Sequence, residues 1–427
     1  MDAQITDSDW HFIKKVLFRF LFVYLLMFMP AFFYVMPLGA HIMEYDRLFW
    51  NLFVPWLGKH VLDMGSDIPV WPVIKDDTVY NYVLVFCMLI LSAVLTLLWT
   101  VIDRTRRNYD TLCYWFTVSV RYYLACAMLK YGFAKVFKVQ FPFPSLTKLT
   151  EPFGDSSPMG LLWNVMGYSA EYTIFTGLGE VVAGLLLFFQ HTVILGALTT
   201  FSIMSNVVVM NFSYDVSVKL ISSHLLLMAI FLLVRDTRRI INFFILNRSV
   251  EAAGLTDHRS NVLAGRGRFA LKGLFIGVAL FTYIQASAKN RIEHGDDSPR
   301  PPLYGIYDVD VFVQNGDTLS PLLAEVSRWR KMIVDKPGQV TIKRMNDQSD
   351  HYAFQPDLSN RTITMFSFAD STRISRFEYE QPAPNAMVFK GILQGDSVYI
   401  GMKRYDLNNF LLLNRGFHWI NPVPFAR

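Results

Sequence analysis

Apolar residues occur along this chain in long blocks rather than scattered among polar ones. A run of about 18 or more apolar residues is long enough to cross a bilayer as a helix. Seven such runs are present, at about 16–36, 80–102, 112–136, 172–189, 192–210, 217–234 and 269–287. The pattern therefore predicts a mainly α-helical membrane bundle of about seven transmembrane helices over residues 1–287.

The pattern changes after a proline-containing polar linker at 288–302. Apolar and polar residues then alternate in short runs, which is typical of half-buried strands, and Asn315-Gly316 is a hairpin turn signal. The alternating runs are Tyr307–Gln314, Gln339–Arg344, Arg361–Phe368, Ser375–Glu380, Met387–Leu393 and Ser397–Lys403. We predict an antiparallel β domain over 303–427, either a sandwich or a small barrel, with a short helix at Leu319–Trp329.

The composition agrees with a membrane protein, because 52% of the residues are apolar and 15% are aromatic. The basic residues cluster at one end of the predicted helices. They are Lys14, Lys15 and Arg19 at the start of the first run, Arg104, Arg106 and Arg107 after the second, and seven arginines from Arg235 to Arg268. By the positive-inside rule this end is cytoplasmic. The N-terminus is then cytoplasmic, and an odd number of spans places the β domain outside.

Residues 240–247, within the last basic segment, allow two interpretations. They could form a short amphipathic helix in the interface beside anionic lipid. Alternatively, the segment only fixes the topology of the chain.

Cysteine usage and short motifs exclude several classes of site. Cys87, Cys113 and Cys126 lie within apolar runs and do not form a Cys-x-x-Cys pair, so they predict buried filler rather than a disulfide or redox centre. The sequence contains no phosphate-binding glycine loop, no nucleophile elbow and no metal-ligand spacing. We therefore expect no metal site.

The stretch from Met210 to His224 joins two apolar runs and carries several polar side chains. Ionisable groups at membrane depth are functional candidates by default. We predict that six residues line an outward-facing pocket: Glu171, Asn206, Asn211, Asp215, Lys219 and His224. Lys219 or His224 would transfer protons there, because burial can convert a lysine into a base. The alternative is that Asp215 and Lys219 only form an i, i+4 pair that stabilises a helix start.

A second polar set lies in the third and fourth runs: Arg121, Lys130, Lys135 and Glu180. At about 100° per residue, Arg121 and Lys135 share a helix face, whereas Lys130 points the opposite way. We expect Lys135 to extend towards the headgroups and Arg121, by its depth, to pair with Glu180. Glycines 177, 179 and 184 should let the fourth helix approach a neighbour closely.

Residues 111–235 resemble the DoxX-like family of membrane proteins. The likeness rests on Arg121, the run Lys130-Tyr-Gly-Phe-Ala-Lys135, Gly177-Leu-Gly-Glu-Val-Val-Ala-Gly184 and the stretch from Asn211 to Lys219. The segments 154–163 and 414–421 look similar to longer bacterial members with additional spans and a C-terminal domain. The resemblance implies a four-helix core, the bacterial inner membrane, and partnership with sulfur- or quinone-linked oxidoreductases. A more distant likeness, in layout, is to vitamin K-dependent carboxylase-like proteins.

Two functions remain open from the sequence, and whether the protein is an enzyme remains open with them. The first is binding of a small lipid-soluble or quinone-type redox ligand in the bundle, with Arg121, Lys130, Lys135 and Glu180 as further ligand-binding candidates. The second is a non-enzymatic anchor whose β domain binds a protein or lipid. Transport is disfavoured, because no inverted repeat is visible. The expected partners are the bilayer and a membrane or periplasmic protein, with no nucleic acid.

Overall fold

The computed structural model describes residues 9–31, 33–37, 39–64, 68–69, 76–250, 262–368 and 373–425. The chain forms two compact units. The helical unit comprises Met1–Phe141 and Ser169–Arg291, and the barrel unit comprises Pro142–Tyr168 and Ile292–Arg427. The segment 142–168 thus belongs to the same unit as the β domain.

The helices follow each other in a simple order. They are α1 Phe12–Ala31, α2 Gly39–His60, α3 Val79–Ile102, α4 Asp110–Val136, α5 Leu146–Leu149, α6 Pro158–Tyr168, α7 Ala170–Phe188, α8 Val193–Ser213, α9 Lys219–Val234, α10 Thr237–Phe244, α11 Val262–His294 and α12 Leu411–Asn414. The barrel unit contains α5, α6, α12 and the last three residues of α11, and the helical unit contains the rest.

The prediction of seven spans is wrong. In the part of the chain that the structure describes, five helices are long and apolar enough to cross a membrane: α3, α4, α7, α8 and the Arg266–His294 part of α11. A sixth candidate needs α9 and α10 together, which are bent by 79°. The 16 residues of α9 reach only about 24 Å, less than the ~30 Å hydrocarbon core.

Helix α1 is not among the candidate spans, because it carries Lys14, Lys15 and Arg19. Arg19 is only 2% exposed and donates hydrogen bonds to the Tyr109 hydroxyl at 2.7 and 3.0 Å and to the Thr100 hydroxyl at 2.9 Å. A buried cation held in this way fixes α1 against α3 and the start of α4.

Glycines bring α4 and α7 into close contact, as the sequence predicted. A Cβ on Gly177 would lie 2.7 Å from the carbonyl oxygen of Gly132, and one on Gly184 would lie 2.9 Å from that of Ala125. Any larger residue would force the backbones apart. Gly179 differs, because its Cβ would meet only the Ile203 side chain on α8 at 3.6 Å.

The β domain is a closed antiparallel barrel, which confirms the predicted antiparallel β fold and resolves its architecture. The strands are β1 Gly305–Gln314, β2 Asp317–Thr318, β3 Trp329–Val334, β4 Gln339–Arg344, β5 Ser349–Asp357, β6 Thr362–Ser367, β7 Ile374–Ala383, β8 Ala386–Leu393 and β9 Asp396–Arg404. Neighbours in sequence pair up and down from β3 to β9, β1 pairs with both β3 and β9, and short β2 extends from β1. Eight strands therefore close the barrel.

The predicted strands and turns match the structure more closely than the predicted helix does. Asn315-Gly316 and Gln394-Gly395 form two-residue turns with positive φ at both positions, the geometry of type I′ hairpins. The helix predicted at Leu319–Trp329 is wrong, because the segment runs through turns and then enters β3. Strands β2, β3 and β5 were not predicted.

Large side chains fill the barrel interior, among them Phe312, Trp329, Phe354, Phe377 and Phe389, each at most 2% exposed. The segment that contains α5 packs against the outside of this barrel. Leu146 contacts Ile306 and Ile333, and Lys343 Nζ donates to the Thr150 carbonyl at 2.5 Å. Burial lowers the pKa of the Lys343 amine.

Candidate functional site

The junction of α8 and α9 is a set of helix-end contacts. Both carboxylate oxygens of Asp77 accept backbone hydrogen bonds from the start of α9, from Lys219 N at 2.6 Å and Leu220 N at 3.0 Å. Lys219 Nζ lies 2.7 Å from Asp215 and 3.9 Å from Asp77. The amine thus lies between two carboxylates, and the structure contains the Asp215–Lys219 pair that was the alternative interpretation of this stretch.

Asn211 contributes to the same junction. It is 5% exposed, and its Nδ2 donates to the Ser222 hydroxyl at 3.0 Å. This bond ties the last turn of α8 to the first turn of α9.

Both ring nitrogens of His224 have partners. Nδ1 lies 2.6 Å from the Leu220 carbonyl, and Nε2 lies 2.5 Å from the Tyr24 hydroxyl. Because a carbonyl only accepts, Nδ1 carries a proton, whereas the tyrosine hydroxyl can donate to Nε2 or accept from it. The ring also stacks on Phe28, with centroids 3.9 Å apart. These contacts with Tyr24 and Phe28 join α9 to α1.

Two of the six predicted pocket residues lie on exposed helix surface. Glu171 is exposed at the first turn of α7, where the Ser169 hydroxyl donates to it at 3.2 Å. Asn206 is exposed on α8. Of the six residues, Asp215 and Lys219 are in direct contact, whereas Asn211, His224 and Glu171 each bind a group outside the predicted set.

A buried ion pair links α4 to α7. Lys135 Nζ lies 2.9 Å from Glu180, and the two side chains are only 10% and 4% exposed. The predicted Arg121–Glu180 pair is therefore wrong, because depth along a helix does not specify which side chain points at the neighbour. Lys135 lies one turn after Gly132, and Glu180 one turn after Gly177, the two glycines at which these helices touch.

Tyrosines extend this pair into a larger polar group, here called the Lys135 cluster: Tyr34, Lys130, Tyr131, Lys135 and Glu180. The hydroxyls of Tyr34 and Tyr131 lie 2.5 Å apart, and Lys130 Nζ donates to the Tyr34 carbonyl at 2.6 Å. Lys135 Nζ lies 6.0 Å from the centre of the Tyr131 ring. Four of these groups carry hydrogen-bond donors: the two tyrosine hydroxyls and the two lysine amines.

Arg121 is half-buried and has a different environment from Lys135. Its guanidinium lies over the Tyr122 ring at 5.5 Å, and its buried Nε has no hydrogen-bond partner. Tyr122 contacts Phe188, the last residue of α7, so Arg121 lies level with one end of that helix. The sequence had placed it nearer the middle of the membrane.

Sequence reasoning missed Asp77, Tyr24 and Tyr34. Asp77 lies before α3 yet caps α9, so its role depends on tertiary structure. Tyr24 and Tyr34 fall inside an apolar run, where the hydroxyl of a tyrosine is the only available signal. Among the described residues, no group of three or more His, Cys, Asp or Glu side chains could hold a metal ion.

An apolar segment follows α12 in the barrel unit, and several of its side chains are exposed. Four side chains in the 417–425 segment are largely exposed: Phe417 by 84%, Trp419 by 86%, Ile420 by 80% and Val423 by 69%. Soluble surfaces expose single apolar residues routinely, but contiguous apolar patches mark interaction sites.

The chain is similar to the uncharacterized protein YwoB of Bacillus subtilis, with 33% identity over 128 residues, which is 30% of this chain and 80% of that protein. No family model matches the chain. No solved structure matches it either.

Proposed function

We propose that this chain, which belongs to the same family as Bacillus subtilis YwoB, is a DoxX-like bacterial inner-membrane protein. In this proposal its helical unit anchors the barrel unit, and the barrel unit docks a partner protein without catalysing a reaction. The observation that carries the proposal is the uncovered aromatic segment 417–425.

Membrane anchoring is supported by the outer faces of the candidate spans. Large apolar side chains on these helices are strongly exposed, including Leu97 by 67%, Phe175 by 72% and Phe281 by 67%. Burying such side chains away from water is favourable by about 1.5–3 kcal/mol each. Lipid chains would cover these faces, and the basic residues between Arg104 and Arg107 would keep their end of the unit in the cytoplasm.

Partner docking is supported by the chemistry of the barrel. Its interior is filled by its own aromatic side chains, so contacts with another molecule would lie on its outside. Trp419 and Phe417, with ring centroids 6.0 Å apart, form an aromatic pair of the kind that dominates protein interfaces. A protein groove lined with apolar residues is the partner that fits this segment.

Site-specific photo-crosslinking tests the docking proposal. A photoreactive amino acid replaces Trp419 in the full-length protein, and irradiation is carried out on membranes from cells that express it. A discrete crosslinked protein is expected from position 419 and not from exposed Lys336 on the barrel. A crosslink to lipid alone, or the same products from both positions, would refute protein docking.

A second candidate function is binding of a small lipid-soluble or quinone-type ligand. The Lys135 cluster favours it, because two adjacent tyrosine hydroxyls and two lysines could donate hydrogen bonds to quinone carbonyl oxygens. The proposal places the ligand at this cluster rather than at Lys219 and His224.

Thermal shift with added quinone tests this second function. Purified protein in detergent is titrated with menaquinone or ubiquinone analogues, and unfolding is followed. Tyr131→Phe should weaken the stabilisation, because one donor is lost, whereas Lys219→Met should leave it unchanged. Equal stabilisation of the wild type and Tyr131→Phe would place the ligand elsewhere.

A further inference from the structure

Three cations from separate parts of the chain lie at the same end of the helical unit. Arg121 is on α4, Arg235 follows the last residue of α9, and Lys272 is in the first part of α11. Phe231, one turn before Arg235, packs on Phe116 of α4 with ring centroids 5.2 Å apart. These three residues are called the basic triad below.

Aromatic contacts fix the position of the triad independently of its charges. Tyr122 packs on Phe188 and Phe275 with ring centroids 5.3 and 5.4 Å apart, which joins α4, α7 and α11. Lys272, one turn before Phe275, places its Nζ 4.6 Å from the centre of the Phe189 ring. Arg121 and Lys272 therefore flank the same end of α7.

No acid offsets these charges within the described residues. None of the three basic side chains forms an ion pair with a carboxylate there, and the buried Nε of Arg121 lacks a hydrogen-bond partner. Like charges held together in a partly desolvated place repel each other strongly. An anion that bound all three would remove this repulsion and supply the missing acceptor.

The surroundings favour an anion that carries apolar chains. On α11, beside Lys272, the side chains of Leu271 and Leu274 are 68% and 65% exposed, and Phe269 is 78% exposed. A soluble anion would leave these side chains uncovered, whereas acyl chains would lie along them. Basic pockets between membrane helices at the cytoplasmic side bind anionic lipid headgroups.

We infer that Arg121, Arg235 and Lys272 bind the phosphate of an anionic phospholipid, whose acyl chains pack along α11. The inference rests on the helical unit lying in a membrane and not on the docking or quinone proposals. Arg121 supplies a planar set of N–H donors suited to phosphate oxygens.

Native mass spectrometry of the detergent-purified full-length protein tests the inference. After delipidation, phosphatidylglycerol and phosphatidylcholine with identical acyl chains are added separately. The wild type should retain phosphatidylglycerol about tenfold more than phosphatidylcholine, and each loss of a triad cation should reduce this retention about fivefold. The variants are Arg121→Gln and Lys272→Gln, with Arg121→Lys expected to retain most of the binding.

Arg266→Gln is the matched control. Arg266 is exposed on the same helix and lies about 240° around it from Lys272, so its loss should leave retention unchanged. Inorganic phosphate at millimolar concentration is a further arm and should not displace the lipid. Equal retention of the two lipids, an equal effect of Arg266→Gln, or displacement by inorganic phosphate would each overturn the inference. Far-UV circular dichroism of every variant shows whether it is folded.

Discussion

Removing one charge of the Lys135–Glu180 pair should destabilise the helical unit more than removing both. Nζ and the carboxylate are 2.9 Å apart, and the side chains are 10% and 4% exposed. A single substitution leaves the remaining charge buried without a counter-ion, which costs about 3–5 kcal/mol. Lys135→Met and Glu180→Met should each lose stability of this order.

The double variant separates pairing from packing. Methionine approximates the length of both side chains, and replacing a buried ion pair by apolar residues is often close to neutral. The double variant should therefore lie within about 1–2 kcal/mol of the wild type, so that the two losses are far from additive.

Unfolding of the full-length protein in detergent, followed by circular dichroism, measures these differences. For a unit of this size, the single variants should unfold roughly 10 °C lower than the wild type. Glu171→Met is the matched control, since Glu171 is an exposed glutamate on the same helix, and it should change stability by less than about 0.5 kcal/mol. Additive losses in the double variant would refute a coupled pair.

Three further predictions address other contacts of the fold. Gly177→Ala should destabilise the unit by about 1–3 kcal/mol, because its Cβ would lie 2.7 Å from a carbonyl oxygen of α4, whereas Gly277→Ala, which meets nothing within 4 Å, should not. Asp77→Ala should cost about 1 kcal/mol and speed hydrogen exchange in the first turn of α9, because both backbone bonds to its carboxylate are lost. A hydrogen bond from Asn315 lowers the pKa of the Asp396 carboxyl. The stability that the ionised Asp396 carboxyl contributes is therefore present above its unfolded-state pKa and is lost as the pH falls through the lower folded-state pKa. Asp396→Asn should accordingly flatten the acid limb of the profile of unfolding stability against pH.

Local periodicity was sufficient to predict most of the barrel. The alternation at Gln339–Arg344 gave β4 with its observed bounds, because the side-chain period of a strand and the conformation of a type I′ turn are local properties. The helix predicted at 319–329 is wrong because helical spacing alone does not stabilise a short helix. Leu322, Leu323 and Val326 have helical spacing, but they remain 45–72% exposed in the fold, and short helices gain their stability mainly from packing an apolar face.

Long-range pairing could not be derived from depth in the membrane. Arg121 was predicted to pair with Glu180, yet the contact between Gly132 and Gly177 sets which turns of α4 and α7 are adjacent. The sequence did contain a usable signal, since Lys135 and Glu180 each follow one of these glycines by three residues. The span count failed in the same way: an apolar run does not show that α9 starts only at Lys219 and that the chain bends by 79° after Val234.

The Lys135 cluster and the basic triad, both within the helical unit, differ in how their charges are balanced. In the Lys135 cluster a carboxylate offsets the buried lysine, so the ion pair needs no outside charge. In the basic triad, by contrast, the described residues supply three positive charges and no ion-paired acid. A balanced pair should depend little on ionic strength, whereas anion binding at an unbalanced cluster should weaken as salt rises. We therefore expect lipid retention to fall as the salt concentration rises and the coupling energy between Lys135 and Glu180 to stay constant. This difference would distinguish a contact that stabilises the fold from one that binds another molecule.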